Sequence, residues 1–477
     1  MVRTGLAASG AGRGALRCLL MVATLNAGVC IAQERLHDRK QWLDPATSVS
    51  DDPRRIPAAP GPRGPDGWLV LKGGRVFDGT GAAAFDATVV IERNRISAIL
   101  PPTSTQWPGQ ARVLDVSGKT LMPGLIDLHT HLSYGEPETP SEEADDDAAA
   151  ALRGVERLRY YLESGVTTVR DVGGQGAVPF RLKRWVAQNR IAGPRIFAAG
   201  QIITGTGGHS AEGSWRLACH GASNGRTREA SGAEDWREAV REQFKRGADL
   251  IKLASHYSRD EVRAAVDEAH TLGLKVTVDA ETFYIQWAVE AGVDSVEHPL
   301  PRTPETIRLM ADRHVDAVPT LVPYIYIFDL DGGYYDSTSR RFSFSKAANL
   351  ELVRNMKRAG IRMGVGTDLV TDWFRYLPQA YVTELHQFVA AGYSVPQALV
   401  AATRTSAQIL GMDDKLGTLQ PGKLADVIAL DGRPDVQLDD LKKLSLVIRD
   451  GYLVLQDGRV RIPPHMPKPE PVAADER

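Results

Sequence analysis

Between Leu125 and Asp368 the chain alternates eight short apolar runs with longer helical patterns, and no other feature of the sequence restricts its fold so strongly. The runs are Leu125 to Leu132, Val166 to Val172, Arg195 to Ala199, Leu250 to Ala254, Lys275 to Ala280, Ser295 to His298, Val315 to Leu321 and Met363 to Asp368. Segments of this length and composition read as strands. Helical periodicity over Asp145 to Glu163, Ala233 to Arg246, Ser258 to Leu272 and Lys346 to Ala359 fills gaps between them. Eight strand–helix units predict an α/β protein built on a (β/α)8 TIM-type barrel. A doubly wound sheet is the alternative, but it wants a glycine-rich turn after its first strand. Leu125 to Leu132 leads instead into a polar, acidic loop.

Strand-rich segments flank this region. Trp68 to Leu71, Gly74 to Phe77, Ala87 to Glu92 and Arg95 to Leu100 lie before it, and Ala425 to Leu430, Leu444 to Arg449 and Tyr452 to Leu455 after it. Neither set buries a core alone, so the two are expected to form one small β-sandwich from both chain ends. The expected boundaries are 67–122 and 415–462 for the sandwich and 123–414 for the barrel. Upstream, Arg3, Arg13 and Arg17 precede the apolar run Cys18 to Leu25, with small Ala32 before Gln33. That run is too short to span a bilayer comfortably, and the pattern predicts a cleaved secretory signal over 1–32, hence a periplasmic or secreted enzyme. A disordered extension is the alternative; lipidation at Cys30 is disfavoured because Val29 is not small. Residues 33–66, with Pro53, Pro57, Pro60, Pro62 and Pro65, read as a linker or wrapped arm, and 463–477 as a disordered tail. Signal cleavage leaves only Cys219, so no intramolecular disulfide forms. The net charge of -2 offers no basic surplus for nucleic acid. A small-molecule substrate is the expected partner, with no membrane span after cleavage and a homo-oligomer left open.

In a barrel the strand ends present chemistry to the loops above them. Here they carry metal-ligand types. Alternation puts His129 and His131 on one face of the first strand, a costly polar burial unless both bind something. Lys252 sits in the apolar context Ile251-Lys252-Leu253, where an unpartnered ammonium is strongly disfavoured. It either pairs with a barrel carboxylate or is neutral enough to take up carbon dioxide as an anionic, metal-bridging carbamate. His298 on the sixth run and Asp368 on the eighth complete the set.

The motifs Met122-Pro123-Gly124-Leu125-Ile126-Asp127-Leu128-His129-Thr130-His131, Thr167-Thr168-Val169-Arg170-Asp171, Ala248-Asp249-Leu250-Ile251-Lys252, Ala291-Gly292-Val293-Asp294-Ser295-Val296-Glu297-His298 and Pro421-Gly422-Lys423-Leu424-Ala425-Asp426 occur in this order. Over Trp68 to Gly458 the chain thereby resembles the amidohydrolase superfamily, particularly its imidazolonepropionase-like and prolidase-like branch. The resemblance implies two divalent ions, typically zinc, joined by carbamylated Lys252 and a bridging hydroxide. His129, His131 and Asp368 would hold the first ion. Asp368 would act as general base and then acid in cleaving an amide-like bond.

Asp279 stands where the resemblance leads one to expect a fifth-strand histidine, and Glu281 follows on the same face. Either carboxylate could join His298 at the second ion. A carboxylate there lowers the formal charge of the site from about +1 to about zero, which predicts a more alkaline optimum and tolerance of manganese. His209, in Gly207-Gly208-His209, and Tyr257 resemble substrate-facing residues; an ordinary loop histidine is the alternative for the first. Arg170 and Asp171 read as a structural pair, and Tyr324 to Phe328 as a loop packed over the barrel. The expected activity is hydrolysis of a carbon–nitrogen bond in a small acylated amino acid, dipeptide or cyclic amide. A metal-dependent lactonase or esterase and a catalytically silent binding protein are the rivals.

Overall fold

A computed structural model describes residues 64–135, 146–211, 225–330 and 345–463. The expected signal, most of the arm, Cys219 and the tail beyond residue 463 lie outside the described residues. In chain order the strands are β1 Trp68–Val76, β2 Phe85–Glu92, β3 Arg95–Leu100, β4 Arg112–Asp115, β5 Lys119–Pro123, β6 Leu125–Thr130, β7 Val166–Asp171, β8 Arg195–Ala198 and β9 Ile202–Gly205. There follow β10 Thr227–Ala230, β11 Leu250–Ala254, β12 Lys275–Asp279, β13 Ser295–Glu297, β14 Asp316–Val318, β15 Val427–Asp431, β16 Leu444–Arg449, β17 Tyr452–Gln456 and β18 Arg459–Val460.

The strand-rich ends join in one nine-stranded sheet of order β18-β17-β16-β15-β5-β1-β2-β3, with β4 beside β1. The seam is the antiparallel pair β5–β15, which sets Leu121 opposite Ala429 and Met122 opposite Ile428. The two facing sheets expected from sequence are thus one continuous ladder. Trp68 to Leu71 and Gly74 to Phe77 form one strand, interrupted by an irregularity between Leu71 and Gly74. Leu71, Val89, Ile91 and Leu121 from one end share a buried core with Val427 and Ile448 from the other. Each such side chain contributes roughly 1.5–3 kcal/mol on burial. Eight of the fourteen buried residues of that core come from the N-terminal end and six from the C-terminal end, which is why neither would hold alone.

The middle of the chain supplies two all-parallel sheets, β6-β7-β8 and β10-β9-β11-β12-β13-β14. Strands β6, β7 and β11 are buried along their whole length, as parallel strands covered on both faces must be. Three of the eight runs differ from expectation. The third breaks after Ala198 and resumes as β9, so that β8 pairs with β7 and β9 with β11. The seventh shortens to β14, and the aromatic run expected as a loop is helical, within Leu321–Asp329. Met363 to Asp368 forms no continuous strand. It makes one bridge, Ala317 to Met363, Leu369 just past it bridges Thr130, and the Leu128 and Asp368 amides donate to the Val365 and His129 carbonyls.

The helices obey local rules. Asp147–Glu163 starts where the Asp146 carboxylate accepts from the Ala148 and Ala149 amides, and buries Ala150, Leu158, Tyr161 and Leu162. Ala233–Arg246 carries acids in its first turn, Lys245 and Arg246 in its last, and stops at left-handed Gly247. Among the described residues no helix is long and apolar enough to cross a membrane.

Candidate metal centre

His129 lies within β6 and His131 just past its end, and both rings point the same way because strand side chains alternate. Their outer nitrogens, Nε2, stand 3.4 and 3.3 Å from Oδ1 of Asp368. Ligands about 2.1 Å from an ion in a tetrahedral array sit about 3.4 Å apart, so these separations suit three corners of one coordination shell. Asp368 approaches because Gly366 lets its segment press on β6: a Cβ there would meet Cβ of His129 at 2.8 Å and Val318 at 2.6 Å. Among the described residues this triad is the group whose ligand atoms all lie within 4.8 Å of one another.

The inner nitrogens are already engaged. His129 Nδ1 lies 2.7 Å from Glu297 Oε2, and His131 Nδ1 2.9 Å from the Gly173 carbonyl. Both partners accept, which protonates Nδ1 and turns each Nε2 lone pair toward Asp368. Glu297, fully buried, also accepts from Arg170 at 2.6 Å and from the Thr277 hydroxyl. Arg170 therefore serves Glu297, not Asp171 as expected; Asp171 accepts from the Gly173 amide, and burial raises its carboxyl to about 8.

Lys252 is buried, and its ammonium nitrogen has no hydrogen-bond partner. Burial lowers its pKa, although Asp279, Glu297 and Asp368 pull the other way. His129 Nε2 is likewise buried without a partner, and burial, then Lys252, holds that imidazole well below its ordinary pKa. A neutral imidazole and an amine that shed protons easily are the states in which such groups bind cations. The donor set fits a metal.

His298 follows β13 and bonds Thr320 Oγ1 through Nδ1 at 2.7 Å, while its Nε2 stands 3.1 Å from Asp279 Oδ2. Nδ1 is also 3.6 Å from Asp368 Oδ2. His298, Thr320 and Asp368 all have left-handed backbone, with φ of 62°, 42° and 47°. Such conformations cost on the order of 1–3 kcal/mol each in non-glycine residues and cluster at functional sites. Here they turn side chains from the strand ends toward one point.

His209 comes to Asp279, with Nε2 3.0 Å from Oδ2. Glu281 accepts from the Ser255 hydroxyl at 2.9 Å, at the N-cap of the helix Thr282–Ala291. Tyr257 is buried among Trp236 and Tyr284, and its hydroxyl is committed to the Tyr284 carbonyl at 2.9 Å. Sequence reasoning gave no role to Glu297, Thr320 or Tyr134, whose ring stacks on His131 at 4.4 Å. Glu297 was the legible one, an acid in a buried strand beside a candidate ligand. Nothing local marked Thr320.

Known proteins of one family resemble this chain. Residues 120–454 match the model of the amidohydrolase family. Ochratoxinase of Aspergillus niger is 26% identical over 354 residues, 68% of this chain and 72% of the relative. Imidazolonepropionase of Geobacillus kaustophilus is 25% identical over 401 residues, 74% of this chain and 85% of the relative. A crystal structure of a Xaa-Pro dipeptidase with bound methionine superposes with a TM-score of 0.72 at 27% identity, covering 81% of this chain and 99% of that one. A TIM-barrel-like α/β fold with a β-rich domain, a cluster of His129, His131 and Asp368 able to bind a metal, and a family match over well more than half of the sequence lead to one conclusion: the chain belongs to the amidohydrolase family and is a hydrolase.

Proposed function

We propose that the chain hydrolyses a carbon–nitrogen bond of a small acylated amino acid, dipeptide or cyclic amide, at a centre for two divalent ions in a (β/α)8 barrel. The observation that carries this reading is the convergence of two imidazoles on Asp368 beside a buried lysine amine that has no partner. His129, His131 and Asp368 would hold one ion, Asp279 and His298 the other, with Lys252 bridging as a carbamate; zinc suits this mixture of nitrogen and oxygen donors. Bound there, such ions acidify water and polarise a carbonyl.

The chain's own residues then carry the proton and hold the geometry. Asp368, between the two imidazoles, takes the proton from attacking water and returns it to the leaving nitrogen. Glu297 fixes the His129 tautomer, and Arg170 fixes Glu297. A relative named for a dipeptide substrate, the Xaa-Pro dipeptidase, supports a carbon–nitrogen bond as the target. The test is metal analysis joined to turnover of matched amide and ester pairs. Metal content with amide turnover is expected; ester-only turnover would make the enzyme a lactonase or esterase, and metal-free protein without turnover a silent binding protein.

A further inference from the structure

We infer that His209 is a positioning residue for the second ion, acting through Asp279, and this rests on the two-ion reading above. Asp279 occupies the place where the resemblance leads one to expect an imidazole, and its Oδ2 lies between two others, His298 Nε2 at 3.1 Å and His209 Nε2 at 3.0 Å. The two histidines come from different elements. His298 follows β13, whereas His209 is delivered by the loop after β9.

That loop is built to hold its place. The Thr204 hydroxyl donates to the Ser255 carbonyl at 3.0 Å, the Gly205 amide to the His256 carbonyl at 2.9 Å, and the His209 amide to the Ser255 carbonyl. A Cβ at Gly208 would come within 2.5 Å of the His256 amide nitrogen and 2.8 Å of the Ser255 carbonyl, so only glycine lets the two backbones lie this close. His209 is thereby locked against the segment that leaves the Lys252 strand. Its ring reaches Asp279 from backbone held by these contacts.

The chemistry follows from the length of aspartate. A fifth-strand imidazole would direct a single nitrogen along the ring axis, but a carboxylate rotates and offers either oxygen. A donor on one side of the carboxylate sets which oxygen faces His298. Carboxylate ligands elsewhere depend on such donors, and losing one costs roughly 10- to 100-fold in metal affinity.

The experiment is metal titration of the apo full-length protein with zinc, by competition against a chromophoric chelator, and with cobalt, whose visible absorption reports each site's geometry. His209→Ala should weaken the second equivalent roughly 10- to 100-fold and shift its cobalt bands while leaving the first within about two-fold. His209→Gln, which returns an N–H at the reach of Nε2, should recover most of that affinity. An unchanged second equivalent in His209→Ala, with only KM raised, overturns the inference in favour of a substrate contact. Equal loss in the Ala and Gln variants overturns it in favour of direct ligation, and loss of both equivalents in favour of a general structural role. Uptake of one ion by the unaltered protein removes this inference and leaves the catalytic reading standing; uptake of none removes both.

Discussion

Replacing Glu297 by glutamine keeps the side-chain shape and should nonetheless disable the first metal position. Oε1 accepts from Arg170 at 2.6 Å and Oε2 faces His129 Nδ1 at 2.7 Å. Arginine only donates, so in Glu297→Gln the carbonyl oxygen must turn to Arg170 and the amide NH2 to His129. His129 Nδ1 must then accept. Its proton moves to Nε2, the nitrogen 3.4 Å from Asp368, and removes the lone pair that would bind an ion. Loss of an outer partner of this kind lowers metal affinity roughly 10- to 100-fold, or about 1.4–2.7 kcal/mol. The charge change has its own effect, because Arg170 and Glu297 are both buried, and breaking a buried pair costs about 3–5 kcal/mol when one partner is removed outright. Glutamine retains a hydrogen bond to Arg170, so the stability loss should fall below that range. Chelator competition for the first equivalent and thermal melting of the apo protein separate the two effects. First-site affinity within two-fold of the parent would refute the tautomer argument.

Lys252→Ala should lose metal and turnover, with partial rescue by short carboxylic acids standing in for the carbamate; full metal content and activity in that variant would exclude the bridge. Asp279→Asn and Glu281→Gln, compared by metal content and pH–rate profile, should differ, with Asp279 the sensitive position because it faces His298 while Glu281 is engaged with Ser255; parent-like profiles in both would exclude carboxylate ligation on this strand. Burial raises Glu384 from 4.5 to about 8, so the folded state keeps a proton that the unfolded chain releases between those values. Unfolding free energy should fall as pH rises through that window, by up to about 1.4 kcal/mol per unit, and Glu384→Gln should flatten the slope in denaturant titrations; matching slopes would reject the assignment. Export predicts a mature protein beginning near Gln33, and N-terminal sequencing from the native host that finds Met1 retained would contradict it.

The family and the coarse fold are legible in the sequence because both rest on short-range pattern. Parallel strands buried on two faces must be apolar, and ligands on strand ends recur at the fixed spacing of a strand. His129 and His131 could be named for that reason. The β5–β15 seam was legible only as a need, since each strand-rich end lacked a core of its own. Tertiary structure decided what pattern cannot carry. Alternation fails where the backbone turns left-handed, as at His298, Thr320 and Asp368, so the direction of those side chains waits on the fold. Partnership between distant charges is set by packing: Arg170 lies beside Asp171 in sequence yet serves Glu297, 127 residues away. The approach of His209 to Asp279 depends on a glycine loop pressed against another strand's exit, a contact between elements that no local rule connects. Sequence specifies which groups are costly to bury, and only the fold determines which of them meet.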